Sequence, residues 1–167
     1  MTNRLDVDVS ERRLLLVRRG LLALTVITIL ATAFELATVQ HWHGLEQLIP
    51  WVALAVLSLA TVVAMAPGGR GRVAARVLAI LVIGASLYGL IDHIAVNYNS
   101  GILDQRFADT WERMPVIERL FYAVTKTVGP SPTLAPGVIG LGAILLLLAS
   151  LLDTRPEANS QLPEHNL

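Results

Sequence analysis

The chain of 167 residues carries 13 Lys and Arg against 13 Asp and Glu, so no net charge draws it to nucleic acid or to a strongly charged soluble partner. Hydrophobic residues make up 54% and charged residues only 16%, with a mean hydropathy of +0.60, whereas soluble domains hold about a quarter charged residues. Cysteine is absent, which excludes disulfides, thiolate metal sites, iron–sulfur clusters and a cysteine nucleophile.

The charges gather at both ends and in two interior stretches, and the long runs between them read as membrane spans. Residues 1–19 contain Arg4, Arg12, Arg13, Arg18 and Arg19 and form a basic lead-in on the cytoplasmic side, with a helix able to begin near Ser10. Residues 20–39 are apolar apart from threonines and Glu35. At about 1.5 Å per residue, a run of about 20 residues crosses a hydrocarbon core of about 30 Å. Ala31-Thr32-Ala33 resembles a signal-peptidase site, but the leader is long and hydrophobicity resumes beyond it, so this span is expected to be retained.

A turn holding His41, Trp42, His43 and Glu46 leads to a second span at 48–66, closed by Pro67-Gly68-Gly69. The third span, 73–98, is apolar until Tyr88, Asp92 and His93. The fourth covers 134–152, with Pro136 near its first turn, and the polar tail 153–167 reads as disordered and cytoplasmic. In the loop 99–133, Leu103, Phe107, Trp111 and Met114 recur at helical spacing, as do Ile117, Leu120, Phe121, Val124 and Val128. Two short amphipathic helices at the outer interface are expected there. The fold class is all-α: an antiparallel bundle of four transmembrane helices, residues 20–152, with its partners the lipid bilayer and either other membrane subunits or a second copy.

Orientation follows the arginines, which are retained on the cytoplasmic side. Five precede the first span, none lies between the first two spans, and Arg70, Arg72 and Arg76 flank the second turn, so both termini are expected inside. Arg106, Arg113, Arg119 and Lys126 in the outer loop count against this, offset by Asp104, Asp109, Glu112 and Glu118.

An ionisable group inside a span costs at least about 2.5 kcal/mol at the helix centre and faces protein or water. Glu35, Asp92 and His93 are the ones present, and counting along two outward-running helices puts all three near the outer leaflet. Thr25, Thr28, Thr32 and Glu35 share one helix face, and Ser86, Gly89, His93 and Asn97 share another, with Tyr88 and Asp92 on a neighbouring face. His41, His43 and Glu46 sit just above this layer.

Three readings follow. In one, Glu35, Asp92 and His93 form a polar network with Thr32, Tyr88 and Asn97 that fixes helix register. In another, the cluster passes protons or ions. In the third, Glu35, His41, His43, Asp92 and His93 ligate a divalent metal, with Zn²⁺, Mn²⁺ or Fe²⁺ suited to imidazole and carboxylate donors. Haem ligation ranks lower, because His93 is the one histidine firmly within a span. Hydrolytic motifs are absent, although Glu35 and Asp92 can form an acid and base pair.

Phe34-Glu35-Leu36, His41-Trp42, His93-x-x-x-Asn97 and Leu134-Ala135-Pro136-Gly137 resemble small four-span bacterial integral membrane proteins without an assigned activity. The resemblance covers residues 20–152; the arginine-rich leader, His43 and the charged outer loop depart from it. It implies a bacterial cytoplasmic-membrane protein and adds weight to Glu35, His93 and Asn97. Among functions, an accessory or scaffold subunit of a membrane complex ranks first, ahead of an ion-handling or metal-binding protein or a metalloenzyme, because no polar track reaches the cytoplasmic side.

Overall fold

A computed structural model describes residues 4–66 and 69–152, with side chains from residue 9 onward. The described residues are all-helical and contain no strand: α1 (Arg4–Thr38), α2 (Leu45–Met65), α3 (Gly69–Ser100), α4 (Val116–Val124) and α5 (Ala135–Leu151). Three of them, α1, α2 and α3, contain apolar stretches long enough to cross a membrane, while the apolar α5 is shorter, at 17 residues. The expected disordered tail and the Pro67-Gly68 stop lie outside the described residues.

Two helices overrun their expected bounds. The basic lead-in is part of α1, whose 35 residues contain no proline and rise about 52 Å, well beyond an apolar core of about 30 Å. Likewise α3 begins at Gly69 and carries Arg70, Arg72 and Arg76 within its first turns. Gly71 permits that tight start, because a Cβ there would lie 2.9 Å from the Val63 carbonyl of α2.

The core is built from small side chains. α2 buries Ala53, Leu54, Leu57, Ala60, Thr61 and Ala64, and α3 buries Ala75, Ala79, Val82 and Ser86, each set at helical period. α5 buries Ile139, Gly140, Gly142, Ala143, Leu146, Ala149 and Ser150, and packs along both α1 and α3. α2 closes the opposite side against α3 and, more lightly, α1 and α5. Large apolar residues face outward instead, Phe34, Leu30, Val62, Ile91 and Leu16 all being more than 60% exposed. Water would not tolerate so much apolar surface, and a bilayer does.

At the end carrying Arg18 and Arg76, arginines close two helices. Arg18 Nη2 donates to the Ala64 carbonyl at 2.7 Å, in the last turn of α2. Arg76 Nη2 donates to the Ser150 carbonyl at 2.6 Å, in the last turn of α5. Helix C-termini leave carbonyls without intrahelical donors and carry partial negative charge, so a guanidinium meets both needs. Each bond also ties one apolar helix to another.

The opposite end is shaped by turns. α1 ends in a Schellman turn: Gln40 takes the left-handed conformation (φ 53°), its N–H donates to the Ala37 carbonyl, and the His41 N–H donates to the Leu36 carbonyl at 2.9 Å. Trp51 Nε1 of α2 then donates to the His41 carbonyl at 2.8 Å. The segment from 99 to 133 carries one of the two expected amphipathic helices as α4, preceded by short 3-10 turns at Gly101–Leu103 and Trp111–Arg113. Leu103 to Met114 is not a continuous helix, because Asp104 turns the chain instead: its carboxylate accepts the Arg106 backbone N–H at 3.0 Å and the Arg106 Nη2 at 2.7 Å. Trp111, expected on an amphipathic helix at the outer interface, is buried (3% exposed) on Gly101, where any Cβ would collide with the indole, and it packs edge-on with the Tyr98 ring.

Candidate functional site

A cavity of about 380 Å³ opens at the turn end between α1, the start of α2, the outer half of α3 and the Pro130–Pro136 segment entering α5. Glu35 reaches it from the last turn of α1, His41 from the Schellman turn and Glu46 from the first turn of α2. Tyr88, Asp92 and His93 line it from α3, and Thr32 and Ser86 lie deeper. The walls are graded: Glu35, Glu46 and Tyr88 are exposed, His41, Asp92 and His93 half-buried, and Thr32 and Ser86 buried.

His93 Nδ1 lies 2.9 Å from the Pro132 carbonyl. A carbonyl only accepts, so Nδ1 carries the proton and, in the neutral ring, Nε2 keeps its lone pair. His41 is held below the ordinary histidine value, first by partial burial and then by the charge of His93. Among the described residues none of Glu35, Glu46 and Asp92 forms an ion pair with a cation of the chain. With neutral imidazoles the cavity therefore holds unbalanced negative charge.

Two hydroxyls at the bottom are unsatisfied. Thr32 Oγ1 and Ser86 Oγ are buried without a hydrogen-bond partner. Thr25, Thr28, Ser58 and Thr61, at comparable helical positions, each donate to the carbonyl four residues back. A buried hydroxyl without a partner costs free energy that water or a ligand in the cavity recovers.

The structure thus brings Glu35, His41, Asp92, His93, Thr32 and Tyr88 to one cavity and separates two residues from it. His43 is exposed and turned into its own loop, with Nδ1 2.8 Å from the Gln40 carbonyl and its ring stacked beside Trp42. The five-residue metal set is accordingly not formed. Among the described residues no three His, Asp or Glu side chains are grouped as a metal ion requires, since the donors come from three elements spread around a wide cavity.

Asn97 shares the Ser86 and His93 face but lies one turn farther along, where the loop covers α3. Fully buried, its Nδ2 donates to the Ser131 carbonyl at 2.9 Å, to Thr133 Oγ1 at 3.1 Å and to the Ala123 carbonyl at 3.2 Å, and its Oδ1 accepts the Ser131 N–H at 2.9 Å. Gly129, at φ 81°, passes so close that a Cβ would strike Asn97. Asn97 locks the loop that supplies Pro132 to His93, and belongs to the scaffold of the site.

The sequence placed Glu46 above the polar layer without assigning it to the site, and the Pro130–Pro136 wall went unforeseen. A proline-rich entry into a helix reads as a stop signal, and only tertiary packing turns its carbonyls toward α3. Comparison with protein-family models, with curated proteins and with solved structures returns no match for this chain.

Proposed function

We propose that the chain is a four-span protein of the bacterial cytoplasmic membrane, a bundle of α1, α2, α3 and α5 with both termini inside, whose outward-open pocket binds a cation-bearing ligand. The observation that carries this reading is the meeting of three unpaired carboxylates, Glu35, Glu46 and Asp92, with two unpartnered buried hydroxyls in one cavity. Carboxylates without internal cations are complemented by an ammonium or similar group, which supplies both charge and donors.

Binding is favoured over passage. Toward the arginine end the interior narrows to Ala75, Ala79, Val82, Ala143 and Leu146, and the buried Thr25, Thr61 and Ser150 there already donate to carbonyls. A conducting path needs a polar track, and this interior offers none. Isothermal titration of the purified protein with ethanolamine tests the reading: saturable heat is expected, absent with acetate and weakened about tenfold in Glu35→Gln/Asp92→Asn. No saturable heat with any amine would overturn it.

One observation favours a second reading, the accessory subunit. The segment from the end of α3 to the start of α5 leaves Leu103, Ile117, Phe121 and Leu134 each more than 60% exposed, an apolar edge without a partner among the described residues. Such an edge suits a neighbouring membrane subunit. A protein that stays monomeric at native expression levels, by crosslinking in intact membranes, would remove this reading and leave the first untouched.

A further inference from the structure

The polar cavity shares part of its wall with a second hollow. Ile49, Ala53 and Ala85 line both the polar cavity and this hollow of about 450 Å³, an apolar groove between α2 and α3. Beyond these shared residues the groove is lined only by Leu45, Leu48, Val52, Val56, Leu78, Leu81 and Val82. A polar chamber that adjoins an apolar trough matches the two halves of an amphiphile.

We propose that the two hollows together hold one membrane lipid with an ammonium-bearing, zwitterionic head group, its head in the cavity and one acyl chain in the groove. This rests on the cation-binding reading of the pocket and names the ligand class. Four observations converge. The three carboxylates are unpaired, so the head must bring positive charge. Thr32 Oγ1 and Ser86 Oγ, 5% and 8% exposed as residues, line the cavity without partners, and a head group carries the donors and acceptors they lack. His93, with Nδ1 engaged by Pro132, presents Nε2 as an acceptor for an ammonium N–H, and His41 lines the same cavity.

The fourth observation is length. Along α2 the groove runs from Leu45 to Val56, a rise of about 16 Å. One leaflet of a core of about 30 Å spans about 15 Å. The groove therefore reaches from head-group depth to the bilayer midplane, along a flank whose outward residues, Val52, Leu81 and Leu45 among them, are exposed for contact with lipid. A water-soluble amine would leave this trough unused, which is why a lipid is the occupant.

The test is native mass spectrometry of the full chain released from detergent micelles doped with either phosphatidylethanolamine or phosphatidylglycerol. Phosphatidylethanolamine adducts are expected in at least about tenfold excess, and Glu35→Gln, on the exposed rim, should cut them about tenfold. Val52→Trp, which fills the groove at a residue that does not line the polar cavity, should reduce lipid retention while leaving ethanolamine heats unchanged. Circular dichroism and gel filtration check that each variant is folded. Equal retention of the two lipids would overturn the head-group assignment. Soluble phosphoethanolamine binding as tightly as the lipid, with Val52→Trp indifferent, would overturn the lipid and leave the cation pocket standing; no binding of lipid or amine would remove both.

Discussion

At the scale of single residues, Asn97 and His93 show how neighbours on one helix face take different work. They are four apart on α3, and spacing alone makes them equivalent. His93 faces the cavity and the Pro132 carbonyl, whereas Asn97 uses both ends of its amide to hold the loop from 123 to 133. Asn97→Ala removes the partner of both the Ser131 N–H and the Ser131 carbonyl, so a loss of about 3 kcal/mol is expected from chemical denaturation in detergent, with amine affinity falling as His93 loses its tether. Retention of full stability would remove the lock. His41 answers to pH. Its folded value lies below 6.5, so the stability contributed by the neutral ring is complete above pH 6.5 and is lost as pH falls through the folded value. Facing the cavity with it are His93, Glu35, Glu46 and Asp92. The melting temperature should therefore drop between pH 7 and pH 5, and by less in His41→Gln. Asp104, by contrast, is pulled down to about 2 by its hydrogen bonds and charge pairing with Arg106, so its bridge persists through that range and fails only as pH falls from about 4 toward 2.

At the scale of elements, the glycines of α5 divide by what stands opposite them. Composition alone offers Gly137, Gly140 and Gly142 alike as points of close helix approach, yet a Cβ at Gly137 meets nothing within 4 Å, whereas one at Gly142 would lie 3.0 Å from Thr28 Cγ2 and 3.2 Å from Leu57 Cδ2. Gly142 is where α1 comes close enough for Thr25 Oγ1 to approach the Gly142 carbonyl at 3.5 Å. Gly142→Leu should destabilise by about 1–3 kcal/mol through overpacking, while Gly137→Ala should be neutral or stabilise by up to about 1 kcal/mol from helix propensity. Thermal melts of the pair check this, and equal effects would mean that α1 and α5 are not in close register. The apolar runs themselves were legible, because any segment that must satisfy its backbone in lipid has to be a long apolar helix. Their ends were less so. α1 extends through the arginines because a charged, proline-free segment costs a helix nothing once it leaves the hydrocarbon, and Leu103 to Met114 fails as a helix because Asp104 and Gly101 reward a turn and a buried tryptophan instead.

At the scale of the whole molecule, counting residues along the helices put Glu35, Asp92 and His93 at similar depth, and the three line one cavity. What counting cannot supply is azimuth: whether those groups converge to a coordination shell or line a wide chamber depends on how far apart α1, α2 and α3 stand there. The small residues of the core, Ala75, Ala79, Ala143 and Gly142, let the helices close together toward the arginine end, while Pro50, Pro132 and Pro136 line the cavity at the turn end. This asymmetry makes the pocket one-sided, and its meaning depends on which side is which. Arg18 and Arg76 close helix ends opposite the pocket, and in the proposed topology, with arginine retained in the cytoplasm, the pocket faces outward. The chain contains no cysteine, so single substitutions report cleanly. Gly44→Cys, whose position has open space around it in the α1–α2 turn, should react with a membrane-impermeant maleimide in intact cells, and Ser160→Cys only after permeabilisation. The reverse pattern would put the carboxylates in the cytoplasm, where the arginine-bearing loop of Arg106, Arg113 and Arg119 would then sit on its favoured side and the pocket would draw its lipid from the inner leaflet.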